Sequence, residues 1–173
     1  FGGECELVLD VDYVNGFPSK KLKNWINPNK KFNELISKFN PDLVFIDRQS
    51  QFGASSIKAN IPLFVHLRGD YWSELQWSKQ TINQSLKSKS VVYFRDRIAK
   101  QCFENAQVIL PLSNYLGDIV KEHYPKKHVE TFHQGINPEL WFEDEKMELK
   151  HPCVGIIQDA NIWGKTIEML VLK

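Results

Sequence analysis

Cysteine is scarce in this sequence of 173 residues, which has only Cys5, Cys102 and Cys153. Their odd number and wide spacing fit neither a disulfide framework nor a zinc site, so the simplest interpretation is a reducing, cytoplasmic setting. No apolar run approaches the roughly 20 residues that a membrane-spanning helix needs. No cluster of histidine and acidic residues has metal-ligand spacing, and we therefore expect no metal site.

An excess of charge of either sign is also missing. The 22 basic and 21 acidic residues give a formal net charge of +1. Proteins that bind nucleic acids normally carry a concentrated basic surface, so this balance argues against a nucleic-acid partner. Hydrophobic residues make up 42% and charged residues 25% of the chain, which is ordinary for a globular protein.

Strand and helix patterns alternate along the sequence. Apolar runs typical of strands occupy 6–13, 42–47, 61–66, 108–111 and 129–132, and helical spacing is found in 29–39, 52–59, 73–104 and the segment that follows Ser113. The clearest helix has Phe32, Leu35, Ile36 and Phe39 on one face. This alternation predicts an α/β fold with a doubly wound, mainly parallel, Rossmann-like sheet.

Polar residues follow the predicted strands, where ligands of doubly wound folds bind. Four such segments are Asp47-Arg48-Gln49-Ser50, His66-Leu67-Arg68-Gly69-Asp70, Pro111-Leu112-Ser113-Asn114 and His133-Gln134-Gly135-Ile136-Asn137. We expect their side chains to gather at one edge of the sheet. Gly69 and Gly135 suit turns with unusual backbone angles.

The composition changes near residue 138. Residues 138–151 are charged and aperiodic, and a strand pattern resumes at Cys153-Val154-Gly155-Ile156-Ile157. The sequence therefore predicts a first domain at 1–137, an interdomain linker at 138–151 and the start of a second domain at 152–173. The sequence begins at Phe1 without a methionine and ends at Lys173 within an apolar helical pattern, so we expect the chain to be incomplete.

Five segments, in order, resemble retaining glycosyltransferases of family 4, which have the two-Rossmann GT-B architecture. They are Asn40-Pro41-Asp42-Leu43-Val44, Pro62-Leu63-Phe64-Val65-His66 with Arg68-Gly69-Asp70, the run from Glu104 to Ser113, the run from His133 to Trp141, and Val154-Gly155 with Trp163-Gly164-Lys165. Together they span roughly residues 32–170. The sequence departs from the family pattern at Ile156, where an arginine is usual, and at Lys165, which comes one place late.

The resemblance implies the transfer of a sugar from a nucleoside-diphosphate sugar to a hydroxyl of a glycan or lipid-linked acceptor. No metal or other cofactor is implied, because the nucleotide sugar is a co-substrate. The acceptor would bind in the first domain and the donor mostly in the second, where Gly155, Gly164 and Lys165 would contact the donor phosphates. The fragment alone is expected to be inactive.

His66 is the candidate catalytic residue, because a histidine at a strand end can bind sugar hydroxyls or stabilise developing charge. The alternative is a packed histidine bonded to the backbone. Arg68, Gly69, Asp70, Ser113 and Gly135 are candidate substrate-binding residues. For several of them a structural role competes: Arg68 can pair with Asp70, Ser113 can cap a helix, and Gly135 can form a turn.

A basic run lies among apolar residues in the predicted 73–104 helix. It comprises Lys79, Lys87, Lys89, Arg95, Arg97 and Lys100. Peripheral contact with anionic lipid is one interpretation, and a solvated helix face is the favoured one, because acidic residues dilute the charge. Two other functions remain open for the chain: a sugar-nucleotide epimerase of the same architecture, and a non-catalytic flavodoxin-like domain that binds a sugar or a partner.

Overall fold

The computed structural model describes residues 29–81, 85–135 and Glu139. Helices and strands alternate in the described chain. In order they are α1 (Lys30–Phe39), β1 (Val44–Asp47), α2 (Gln51–Lys58), β2 (Leu63–Leu67), α3 (Tyr71–Thr81), α4 (Leu86–Asn105), β3 (Val108–Pro111) and α5 (Asn114–His123). The predicted α/β class is confirmed, and the single helical stretch predicted at 73–104 is found as two helices, α3 and α4.

The end of α1 shows how local sequence fixes an element boundary. Asn40 adopts a left-handed conformation with φ of 43°, and its backbone N–H donates to the carbonyl of Ile36 at 2.8 Å. Asparagine tolerates this conformation better than most residues, and the following Pro41 disfavours continuation of the helix. The helix predicted at 29–39 is therefore confirmed to within one residue.

The three strands form a parallel sheet in the order β1-β2-β3. Val44 pairs with Leu63 and Asp47 with His66, while His66 pairs in turn with Leu110. A fourth segment runs beside β3, where Val129 bridges Ile109 and the N–H of Phe132 donates to the carbonyl of Pro111 at 2.9 Å. The strand predicted at 129–132 is thus present only as an isolated bridge with flanking hydrogen bonds.

The described helices that contact the sheet pack on one of its faces. Side chains alternate across a strand, and the face that carries Ile46 and Leu63 is the buried one. Gly53 of α2 lies against Ile46 and Leu63, and Gly117 of α5 lies against the β3 side of this same face. The core formed there comprises Val44, Ile46, Leu63, Val65, Leu67, Ala99, Cys102, Phe103, Ala106, Ile109 and Val120. A three-stranded parallel sheet with one helical layer is what the described residues show, and helices on both faces stay a prediction.

The predicted glycine conformations are wrong, because neither Gly69 nor Gly135 has a positive φ. Among the described residues the positive values belong to Asn40, Asn60 and Arg48, with φ of 73° at Arg48. Asparagine is common in this region and arginine is not. The strained residue Arg48 directly follows the last residue of β1.

The chain divides into two units, Phe1–Gln134 and Gly135–Lys173. All the helices and strands given above belong to the first unit. The strand predicted at 6–13 and the second-domain segment predicted at 152–173 lie outside the described residues, as does the linker predicted at 138–151 apart from Glu139. Of the helices that the structure describes, none is both long enough and apolar enough to cross a bilayer.

Candidate functional site

The register of the parallel sheet brings Asp47 and His66 side by side. The two residues are direct partners at the carboxyl ends of β1 and β2, and Leu110 of β3 continues the same row. Because residues in one row of a parallel sheet point to the same face, Asp47 and His66 share the face opposite the helical layer. This is the edge of the sheet where ligands of parallel α/β proteins bind.

The side chains of Asp47 and His66 are hydrogen-bonded. Nδ1 of His66 lies 3.1 Å from Oδ1 of Asp47. His66 is buried, with 7% of its surface exposed, whereas half of the Asp47 side chain is exposed. The imidazole is therefore held beneath the surface by a carboxylate that remains in contact with water.

Arg68 completes a three-residue cluster. One of its guanidinium nitrogens donates to Oδ2 of Asp47 at 3.1 Å, so the two carboxylate oxygens bind different partners. The sequence left open a pairing of Arg68 with Asp70, and the structure shows Asp47 as its partner instead. Ion pairs exposed to this degree contribute little to stability, which leaves orientation of Asp47 as the main effect of the contact.

The other ring nitrogen of His66 has no hydrogen-bond partner among the described residues, although it is buried. Such groups are rare in folded proteins and call for an explanation, because burying a polar atom without a partner costs free energy. The Phe45 ring stacks on the imidazole with the ring centroids 5.9 Å apart. The Phe132 ring contacts the imidazole edge-on, with the centroids 5.5 Å apart. Both phenylalanines are 48% exposed, so a partly exposed apolar surface borders the imidazole.

Two of the predicted substrate-binding residues cap helices. The Asp70 carboxylate accepts hydrogen bonds from the backbone N–H groups of Trp72 and Ser73 at the start of α3, both at 3.1 Å. The Ser113 hydroxyl accepts from the N–H of Leu116 at the start of α5. These contacts satisfy backbone donors that have no partner within the helix. A substrate contact by either side chain stays a prediction.

The two predicted glycines differ in their surroundings. A Cβ added to Gly69 would lie 3.0 Å from Oε1 of Glu74, whereas one added to Gly135 would meet nothing within 4 Å. Space is therefore limited only at Gly69. The donor-phosphate residues predicted in the second domain, Gly155, Gly164 and Lys165, lie outside the described residues.

The sequence predicts Asp47 at the edge of the sheet but does not single it out as a site residue. The signal was present: Asp47 and His66 each end an apolar run, and the runs 42–47 and 61–66 have equal length. Aligning the ends of two parallel neighbours would have paired Asp47 with His66. The order of strands in the sheet, which decides whether they are neighbours, is not encoded in either run.

The predicted basic run lies at the end of α3 and along α4. Lys100 pairs with Asp96 at 3.1 Å, one turn earlier on α4. Leu86 and Tyr93 expose 85% and 61% of their surfaces on the same helix. The helix thus carries basic, acidic and apolar groups on its exposed surface, and lipid contact stays a prediction.

The aromatic residues next to the His66 segment, Tyr71 and Trp72, pack against the core and do not belong to this cluster. The Trp72 ring stacks on the rings of Phe103 and His123, with distances between ring centroids of 5.3 Å and 4.1 Å. The hydroxyl of Tyr71 donates to Asp96, and burial raises the pKa of that hydroxyl well above its usual range, with the Asp96 carboxylate adding to the effect. Neither ring is therefore placed as an open platform for a ligand.

A surface groove lies along α1, lined by Lys30, Asn33, Glu34, Ser37 and Lys38. All of these residues belong to one helix, and none belongs to the Asp47–His66–Arg68 cluster. Among the described residues, no group of three or more histidine, cysteine or acidic side chains is placed to hold a metal ion. The cluster at the ends of β1 and β2 is consequently the candidate site.

No protein-family model matches the sequence, and no curated protein matches it.

Proposed function

We propose that this chain is the acceptor-side half of a retaining glycosyltransferase of the GT-B architecture, which moves a sugar from a nucleoside-diphosphate sugar to an acceptor hydroxyl. The observation that carries the proposal is the buried Nε2 of His66 at the carboxyl end of the central strand, which has no hydrogen-bond partner among the residues that the structure describes. A polar atom in this position is matched by a ligand that supplies a hydrogen bond.

The surroundings of His66 favour a carbohydrate over a purely apolar or strongly charged ligand. Phe45 and Phe132 offer partly exposed aromatic rings beside the imidazole, and Asp47 and Arg68 provide polar groups at the rim. Ligand sites commonly combine apolar walls with a few placed polar groups. The C–H faces of a sugar suit the rings, and its hydroxyls suit the polar atoms.

In this proposal the first domain along the chain binds the acceptor and the second binds the donor. The domain at 1–137 binds the acceptor and presents His66 to the reacting sugar. The segment at 152–173 begins the donor-binding domain, in which Gly155, Gly164 and Lys165 contact the diphosphate. A strand end is a suitable place for His66, because the sheet fixes its backbone while the side chain faces the ligand.

The test is transfer by the natural full-length protein. It would be incubated with a panel of nucleoside-diphosphate sugars, with and without glycan and lipid-linked acceptors, and nucleotide release would be measured. We expect release that depends on an acceptor. Conversion of the sugar nucleotide without any acceptor would point to an epimerase instead, and the absence of both reactions across the panel would contradict the proposal.

The 173-residue chain alone provides a second arm of this experiment. Since the proposal assigns most donor contacts to a second domain, we expect no nucleotide release by this chain under the same conditions. Robust turnover by the chain alone would show that donor and acceptor sites both lie within it, contrary to the division proposed above.

A further inference from the structure

The hydrogen bond between His66 and Asp47 has a direction that determines the chemistry of the other ring nitrogen. A carboxylate has no proton to donate, so Nδ1 of His66 is the donor in this 3.1 Å contact. In the neutral imidazole only one nitrogen carries a proton. Nε2 is then left with a lone pair, and it can accept a hydrogen bond but cannot donate one.

Arg68 favours the orientation in which Asp47 faces His66. The guanidinium holds Oδ2 at 3.1 Å while Oδ1 faces the imidazole, so the carboxylate is bound on both sides. Asp47 also lies at the end of β1, paired in register with His66, and the N–H of Arg48 donates to the carbonyl of His66 at 2.9 Å. Backbone and side-chain contacts therefore both hold Asp47 beside His66.

We infer that Asp47 is a positioning residue that holds His66 in the tautomer protonated at Nδ1, so that Nε2 accepts a hydrogen bond from a substrate hydroxyl. Taking a sugar or acceptor hydroxyl as the partner rests on the proposed function. The independent observation is that Nε2 is buried without a hydrogen-bond partner in the described part of the chain, because an acceptor without a partner is satisfied by a ligand that donates. As a positioning residue, Asp47 affects the reaction through His66.

Asp47→Asn is expected to move the proton of the His66 ring from Nδ1 to Nε2. An amide has one acceptor oxygen and one donor NH₂ group, and arginine can only donate. Arg68 therefore holds the oxygen of the new amide, and the NH₂ group faces Nδ1 of His66. Nδ1 becomes the acceptor, the proton moves to Nε2, and the hydrogen-bonding character of Nε2 is reversed while the shape of the side chain is kept.

Nitrogen-15 NMR of the imidazole ring measures this directly, since protonated and unprotonated ring nitrogens have widely separated chemical shifts. Spectra of the protein would be recorded at about pH 8.5, above the ordinary titration range of histidine. His66→Gln identifies the His66 signals by their disappearance. Asp42→Asn is the matched control, because Asp42 is an exposed aspartate two residues before β1, the strand that ends at Asp47.

We expect the proton of His66 on Nδ1 in the wild type and in Asp42→Asn, and on Nε2 in Asp47→Asn. A wild-type His66 protonated on Nε2 would overturn the inference, and so would an unchanged proton position in a folded Asp47→Asn variant. If Asp47→Asn does not fold, the wild-type spectrum alone still decides the tautomer.

Transfer assays of the full-length protein separate this inference from the proposed function. Asp47→Asn is expected to lower kcat by roughly 10–10², the scale seen when the partner that orients a histidine is removed, with thermal stability close to that of the wild type. Normal transfer by a variant with the reversed tautomer would contradict the role of Nε2 as an acceptor. Absence of transfer by the wild type would count against glycosyl transfer, whereas the NMR result tests the positioning role without any substrate.

Discussion

The thiol of Cys102 on α4 lies directly against the backbone of Gly53 on α2. A Cβ added to Gly53 would come within 2.6 Å of Cys102 Sγ and 2.9 Å of Cδ1 of Ile46. The thiol also donates to the carbonyl of Ser50 at 3.3 Å, just before α2 begins. The absence of a side chain at Gly53 is therefore what allows α2 and α4 to approach each other over β1 and β2.

Gly53→Ala is expected to destabilise the fold. In a solvent-exposed helix the same change would stabilise by about 1 kcal/mol through helix propensity. Here overpacking costs about 1–3 kcal/mol, because the three neighbouring side chains, those of Cys102, Ile46 and Leu63, all belong to the buried core. Urea titration monitored by circular dichroism should show a lower free energy of unfolding than that of the wild type.

Gly117→Ala is the matched control, because Gly117 is also a helical glycine. Its added Cβ would lie 3.5 Å from Cγ of Pro111 and 3.8 Å from Cγ1 of Val129, which are ordinary contacts. This variant should be as stable as the wild type or more so. Equal effects of the two substitutions would contradict the close approach at Gly53.

Much of the sheet and of the helical layer that packs on it can be predicted from the sequence. The spacing of Phe32, Leu35, Ile36 and Phe39 predicts α1, and the apolar runs predict β1, β2 and β3, because burial requires those periodicities. The close contact of Gly53 with Cys102 is not predictable in this way. It depends on the crossing of two helices whose residues are 49 positions apart, which no local pattern specifies.

Cys102 is expected to be chemically inert near neutral pH. Burial raises the pKa of its thiol from 9.0 to about 11, and the thiolate is the reactive form. Iodoacetamide treatment at about pH 8 followed by peptide mass spectrometry should modify Cys102 in urea but not in the folded protein. Rapid modification of Cys102 in the native protein would contradict its burial.

The raised pKa of the Cys102 thiol also predicts a loss of stability at alkaline pH. The unfolded thiol ionises from about pH 9 and the folded thiol only from about pH 11, so stability that is fully present below pH 9 is lost as the pH rises to 11. The loss is on the order of 2 kcal/mol. Cys102→Ala should show a smaller decrease between these pH values than the wild type, and an identical decrease in both would contradict the assignment.

Asp70 is expected to matter for stability through its cap on α3. Asp70→Ala removes the acceptor for the N–H groups of Trp72 and Ser73 and should cost about 1 kcal/mol. Asp70→Asn keeps an acceptor oxygen in place and should unfold close to the wild type. The comparison would be made by urea titration of the three proteins.

Asp70→Asn also tests the substrate-binding prediction, since it removes the charge and keeps the cap. A variant of normal stability whose full-length form has a raised KM would support a substrate contact by Asp70. Equal stability of Asp70→Ala and the wild type would show that the cap contributes nothing, contrary to the hydrogen bonds described above.

The candidate site was predictable in part. The position of His66 at a strand end is visible in the sequence, because an apolar run stops there, and the cap at Ser113 follows from residue type and position. Predicting Asp47 as a site residue requires knowledge of the register between β1 and β2. Predicting Phe132 requires knowledge of the path of the chain beside β3. These are nonlocal relationships, because the residues that contact the His66 ring come from β1 and from the segment beside β3, both distant from His66 along the chain.

The most direct test of the account is sugar transfer by the full-length protein with His66→Ala. If Nε2 binds a hydroxyl in the transition state, kcat should fall by about 10²–10³, the scale for losing one such hydrogen bond, while the melting temperature changes little. His66→Asn, which keeps a polar group on a shorter side chain, should recover part of the rate. A His66→Ala variant that melts and transfers like the wild type would contradict the catalytic role, and one that unfolds would support the packed-histidine alternative.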